Sequence, residues 1–143
     1  MKILFIGAGK IGFPIIRSWK KSKIQRLIDI HLVEKKEFNI NLIKKSSIKV
    51  SFYKTVPRIW KGDIIFLAVK PQDFYKIAEE INTNNILFDN IISIMAGITT
   101  RKISSYIKTS ASITRVMPNL AVSINLGVNC IFHSKNTKNS FKK

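Results

Sequence analysis

Residues 5–13 read "FIGAGKIGF". Gly7, Gly9 and Gly12 form the pattern G-x-G-x-x-G directly behind an apolar run at the start of the chain. On its own such a pattern makes either a turn or a phosphate cradle, and its surroundings decide between them. Here it follows a strand-like run and opens a helical stretch, the setting in which each glycine has a task. Gly7 permits a tight turn, Gly9 lets the backbone approach a pyrophosphate, and Gly12 lets helix and strand pack closely. The amides at the helix N-terminus then face the phosphates, with the positive end of the dipole behind them. Pro14 stands one turn into that helix, where a missing donor is expected to distort the backbone while leaving the amides of residues 9–12 untouched.

Working outward, short runs rich in Ile, Val and Phe recur at 2–6, 30–33, 49–53, 64–69, 91–95 and 113–117. Stretches of helical length and pattern lie between most of them, at 14–21, 38–45, 74–81 and, more briefly, 103–107. Continuously apolar strands that alternate with helices predict a parallel sheet covered on both faces. The expected fold class is therefore α/β, a doubly wound, mostly parallel, Rossmann-like sheet, and 143 residues suffice for a single domain. Thr99 and Thr100 are candidate N-caps for the last helix, and Pro71-Gln72-Asp73 marks the start of the one holding Phe74 and Ile77. The folded unit is expected over residues 1–133. Residues 134–143, "SKNTKNSFKK", read as a polar tail or severed linker.

A formal net charge of +17 attracts phosphates without reading sequence. Twenty lysines against five arginines are, however, spread along the chain among frequent Ile and Asn, with no stripe of interleaved aromatics. Nonspecific charge association is what remains, and no specific nucleic-acid partner is expected. Cys130 is alone, so no internal disulfide can form, and no Cys/His spacing suggests a metal, which together predict a reducing, cytoplasmic compartment. Lys10 breaks the N-terminal apolar stretch too early for a signal peptide, and no run approaches the ~18–20 apolar residues of a membrane span. His31 and His133 have no partner spacing that would make a catalytic triad.

An acid about 20 residues beyond the loop binds the adenosine ribose hydroxyls in dinucleotide folds. Glu34, in "HLVEKK" (31–36), stands 22 positions after Gly12. It favours NAD, because a carboxylate repels a 2′-phosphate, whereas the adjacent Lys35 and Lys36 would attract one. Both NADH and NADPH stay open, as does the reading of Glu34 as a solvated strand-end charge.

Three strand ends read "FLAVKPQ" (66–72), "SIMAGIT" (93–99) and "RVMPN" (115–119). With "IGAGKIG" (6–12) in this order, they resemble the nucleotide-binding domain of the pyrroline-5-carboxylate reductase family over about residues 2–133. The resemblance implies an NADPH- or NADH-dependent reductase of a cyclic imine, 1-pyrroline-5-carboxylate, giving proline in the last step of its synthesis. It implies that Ile6, Gly7, Ala8, Gly9, Lys10, Ile11 and Gly12 hold the pyrophosphate, and that Ala68, Val69, Lys70 and Pro71 run under the nicotinamide-side ribose. Ala96 and Gly97 would leave room for the nicotinamide ring, and Met117, Pro118 and Asn119 would close the substrate pocket. By residue type alone, Lys70 reads as a solvated charge, Met117 as core, and Pro118 and Asn119 as strand-end and turn residues. Lys54 stands where family members often carry Asn near the adenosine, and Leu120-Ala121-Val122 where they continue Thr-Pro-Ala. No nucleophile is expected, since a protonated imine already accepts hydride and the cofactor carries the chemistry. The family continues into an all-helical C-terminal domain that dimerises and supplies substrate-binding loops, and this sequence is expected to stop about where that domain begins. A second chain supplying such a domain is therefore a candidate partner, and a stand-alone dinucleotide-binding regulatory module without catalysis is the alternative function.

Overall fold

The first apolar run forms β1 (Lys2–Ile6) in a computed structural model that describes residues 1–118, 129–135 and 137. Its side chains alternate between two cores, Ile3 and Phe5 on one face of the sheet, Leu4 and Ile6 on the other. Both faces are covered, which is why no polar residue interrupts the run. The remaining strands are β2 (Asp29–Val33), β3 (Ser51–Tyr53), β4 (Ile59–Lys61), β5 (Ile64–Leu67), β6 (Asn85–Leu87), β7 (Asn90–Ser93), β8 (Ser112–Pro118) and β9 (Asn129–His133). Seven of them make one sheet in the order β3-β2-β1-β5-β7-β8-β9, and β4 pairs with β6 in a separate small ribbon. Among the described residues, every pairing is parallel except β8 with β9. The doubly wound α/β domain expected from the sequence is the fold observed.

Among the described residues, four helices cover the sheet: α1 (Gly12–Lys21), α2 (Glu37–Lys45), α3 (Phe74–Thr83) and α4 (Thr100–Ile107). On the α1–α2 face, Phe5 and Phe66 stack at 4.5 Å between centroids, and Trp19 of α1 meets both edge-on at 5.7 and 5.8 Å. On the α3–α4 face, Phe74, Ala78, Ile103 and Ile107 pack against Leu4, Ile65 and Ile91. Hydrophobic burial on both faces fixes β1 and β5 as the centre of the molecule.

Helix starts follow the sequence with two corrections. Thr99 caps α4 as expected, its Oγ1 accepting from the Lys102 N–H at 3.1 Å. Residues 71–73 instead form a short 3₁₀ turn with no side-chain cap bond from Asp73. Pro14 does not distort α1, which starts at Gly12 and runs unbroken to Lys21. The proline falls in the first turn, where an N–H has no helical acceptor to lose. Hydrogen bonding also continues past the expected boundary at 133. The Ser134 N–H donates to the Ile113 carbonyl at 2.8 Å, and Thr137 is buried. The rest of the expected tail, 136 and 138–143, lies outside the described residues.

The order of strands reverses between β1 and β5, one leading outward through β2 and β3, the other through β7 and β8. A crevice beyond the carboxyl ends of the strands at such a point is where open α/β sheets bind ligands.

Candidate functional site

The glycine loop leaves β1 at that crevice. Gly7 adopts φ 95°, and a Cβ there would lie 2.7 Å from the Ala68 carbonyl oxygen, so only glycine fits. Its N–H donates to the Val33 carbonyl at 2.9 Å, binding the loop to β2. A Cβ on Gly12 would run into the Gly7 carbonyl oxygen and press on the Phe5 ring at 3.2 Å, which sets how closely α1 packs on the sheet. Gly9 differs, with nothing within 4 Å of the place its Cβ would occupy. Among the described residues, the amides of Gly9, Lys10, Ile11 and Gly12 donate to no protein acceptor. Free amides ahead of a helix N-terminus, beside an open approach, are suited to receive an anion.

Glu34 follows β2 and is 8% exposed. Its Oε2 accepts from the Ala8 N–H at 2.9 Å and from Asn39 Nδ2 at 2.8 Å, and its Oε1 accepts from the Lys36 N–H at 2.9 Å. The carboxylate therefore joins the glycine loop, the start of α2 and the β2 end in one node. It is not a freely solvated charge.

These groups border a cleft of about 180 Å³. Of the residues singled out in the sequence, Ile6, Gly7, Gly9, Glu34, Ala68, Val69 and Lys70 line it. Ala8 is buried behind the loop, Gly12 packs inside it, and Lys10 and Ile11 are exposed. Pro71 opens the 3₁₀ turn that leads into α3. Ala96 and Gly97 follow β7 at the same end of the sheet but are exposed and stand apart from the cleft lining. Met117 is not core, being 41% exposed on β8. Pro118 ends that strand, paired with Asn129, whereas Asn119 and 120–122 lie outside the described residues.

Sequence reasoning overlooked one wall. Asp73, Lys76, Ile77 and Glu80 line the cleft from the start of α3, and their spacing of three, four and seven is the signature of a single helix face. Lys36, Asn39, Lys54 and Thr55 complete the opposite rim. No group of His, Cys, Asp and Glu that could hold a metal occurs among the described residues, and no helix there is long and apolar enough to cross a membrane.

A family model described as NADP oxidoreductase coenzyme F420-dependent matches residues 2–97, from β1 through the cleft to Gly97. The chain belongs to this family. Within it, the relatives found bear out the resemblance read from the motifs. The pyrroline-5-carboxylate reductase of Staphylococcus haemolyticus is 32% identical over 142 residues, a span of 95% of this chain and 51% of the relative. That of Haemophilus influenzae is 30% identical over 143 residues, 98% of this chain and 51% of the relative. The solved 1-pyrroline-5-carboxylate reductase of Streptococcus pyogenes superposes with a TM-score of 0.78 at 20% identity, over 99% of this chain and 52% of that one. The Plasmodium falciparum enzyme, solved with NADP bound, gives 0.71 at 20% identity over 99% and 51%. At such identities the superpositions establish the Rossmann-like fold. The chain spans about half the length of the relatives it matches.

Proposed function

We propose that this chain is the coenzyme-binding half of an NAD(P)H-dependent imine reductase that converts 1-pyrroline-5-carboxylate to proline. The cradle of free amides at residues 9–12, open at Gly9, carries the reading. The family's motifs at 66–72, 93–99 and 115–119 supply the substrate class.

In this reading the amides of Gly9, Lys10, Ile11 and Gly12 bind the pyrophosphate. Ala68, Val69 and Lys70 give the wall along which the nicotinamide-side ribose lies. Ala96 and Gly97, with almost no side chain, leave the strand end clear for the ring, and Met117, Pro118 and Asn119 border the substrate. A bound reduced nicotinamide supplies the hydride. The protein's share is orientation and exclusion of water, and holding reactants in register is worth more here than any acid or base. The exposed positions Ala96, Gly97 and Met117 provide little exclusion of water by themselves. A further helical segment or a second chain is accordingly the proposed source of the missing enclosure and of the donors for the substrate carboxylate. Cys130, exposed and unpaired, accords with a cytoplasmic setting for this work.

Proline formation from pyrroline-5-carboxylate with NADPH or NADH tests the proposal, measured for this chain alone and after addition of a helical domain from a relative. Turnover only in the completed protein is expected, and silence in both would overturn it. The same exposure favours a second reading, a dinucleotide-binding regulatory module, whose mark is coenzyme binding that alters association with a partner without turnover.

A further inference from the structure

Acids and bases are not mixed evenly through this fold. Residues 10–28, which carry α1 and the turn behind it, hold six Lys and Arg and no acid. Residues 38–62, with most of α2 and with β3, hold another six and none. Residues 63–89, which build β5, α3 and β6, hold five acids and two bases. A lysine-rich vocabulary alone would scatter bases among acids, whereas here the acids stay away from the helices of one face.

The fold gathers these cations. Lys20 Nζ of α1 donates to the Ser46 carbonyl behind α2 at 2.6 Å. That bond sets Arg17 and Lys20, neighbours along one side of α1, beside Lys44 and Lys45 in the last turn of α2. Lys49 follows on the segment into β3. All five are exposed, and none forms an ion pair among the described residues. Clustered charge with no counter-charge on the protein raises the local potential and draws polyanions.

The outer stripe of α2 adds an aromatic. Phe38 is 72% exposed, and Asn41 and Lys45, three and seven positions on, are exposed along the same line. A bare ring on a basic helix offers an unpaired base a surface to stack on, which a duplex, its bases already stacked inside, cannot use. Neither Phe38 nor the five cations border the cleft.

We propose that the α1–α2 face binds single-stranded nucleic acid without reading its sequence, its five cations holding phosphates and Phe38 stacking on a base.

Fluorescence anisotropy of a labelled oligothymidylate of about twenty nucleotides, titrated with the full chain, tests this. Log affinity is expected to fall linearly with log salt, with a slope of about −2 to −3.5 for three to five phosphates held. No binding at low salt, or binding that salt leaves unchanged, would overturn the proposal. R17Q/K45Q/K49Q should weaken binding about tenfold or more, whereas R101Q/K102Q/K108Q, which removes the same charge at α4, should cost no more than about twofold. Equal losses would mean that net charge acts without a face, and would sink it. F38A should weaken the single strand about fivefold and leave a duplex of the same length unaffected. No loss with F38A, or a duplex held as tightly as the single strand, would overturn the single-strand assignment. Saturating NADPH should leave the strand in place, and its displacement would put the strand in the cleft instead.

Discussion

The two halves of the sheet's carboxyl end are built on different terms. Around β1 and β2 the chain completes its own site. The loop is pinned at Gly7 by the Val33 carbonyl and at Ala8 by Glu34, and the walls come from α3 and the rim of α2. Around β7 and β8 the described residues provide a strand end and little else, with Ala96 and Gly97 exposed and Met117 41% exposed. Under the proposed function, the contrast means that holding a coenzyme and enclosing its reactive ring are separable tasks. The first would draw on backbone amides and short-range hydrogen bonds within about the first 80 residues, while the second would ask for surface that the described residues do not contribute.

Four substitutions break or sharpen that contrast, in falling order of their effect on stability. Phe5→Ala removes the ring beneath the loop and leaves a cavity bounded by Trp19 and Phe66. It should cost about 3–5 kcal/mol in urea unfolding. A loss below 1 kcal/mol would mean that the aromatic stack is not what supports the loop. Gly12→Ala forces a methyl against the Gly7 carbonyl, with an expected cost of about 1–3 kcal/mol and loss of NADPH binding by titration. Thr99→Ala deletes the cap of α4 on the open half and should cost about 1 kcal/mol, with coenzyme affinity unchanged. Ala96→Leu places bulk at an exposed position, so unfolding should shift by no more than about 0.5 kcal/mol. It should nonetheless weaken NADPH while sparing adenosine 2′,5′-bisphosphate, and equal weakening of both ligands would show that the two halves are not separate.

How much of this was legible in the sequence depends on how local each signal was. The run at 2–6 is β1 to the residue, because a strand buried on both faces leaves no polar interruption to misplace its ends. The run at 64–69 overshoots β5, which stops at Leu67, since beyond the Ala68 N–H, which still donates to the Ile6 carbonyl at 2.8 Å, the chain turns to border the cleft while staying apolar. The run at 49–53 shortens to Ser51–Tyr53 at the sheet edge, where only one neighbour offers hydrogen bonds. β4 and β6 gave no signal at all. Each is three residues long with only its middle residue, Trp60 or Ile86, buried, while Ile59 and Leu87 are exposed. Such segments become strands by finding each other across the chain, and no window of periodicity contains both. The site divides in the same way. Spacing located Glu34, but its three donors come from the loop, the α2 entrance and Asn39, a convergence that only the fold creates.

The central position of β1 also has a consequence in time. β1 leaves synthesis ahead of the strands it pairs with, and its partner β5 and the α3 wall of the cleft follow only after three intervening strands and two helices. The glycine loop must therefore wait, unsupported on one side, until Ile3 can register with Ile64. Pairings of such sequence separation slow folding, because chain entropy is spent before the contacts reward it. Coenzyme added during refolding should accordingly act late, stabilising the native chain by mass action without hastening its formation.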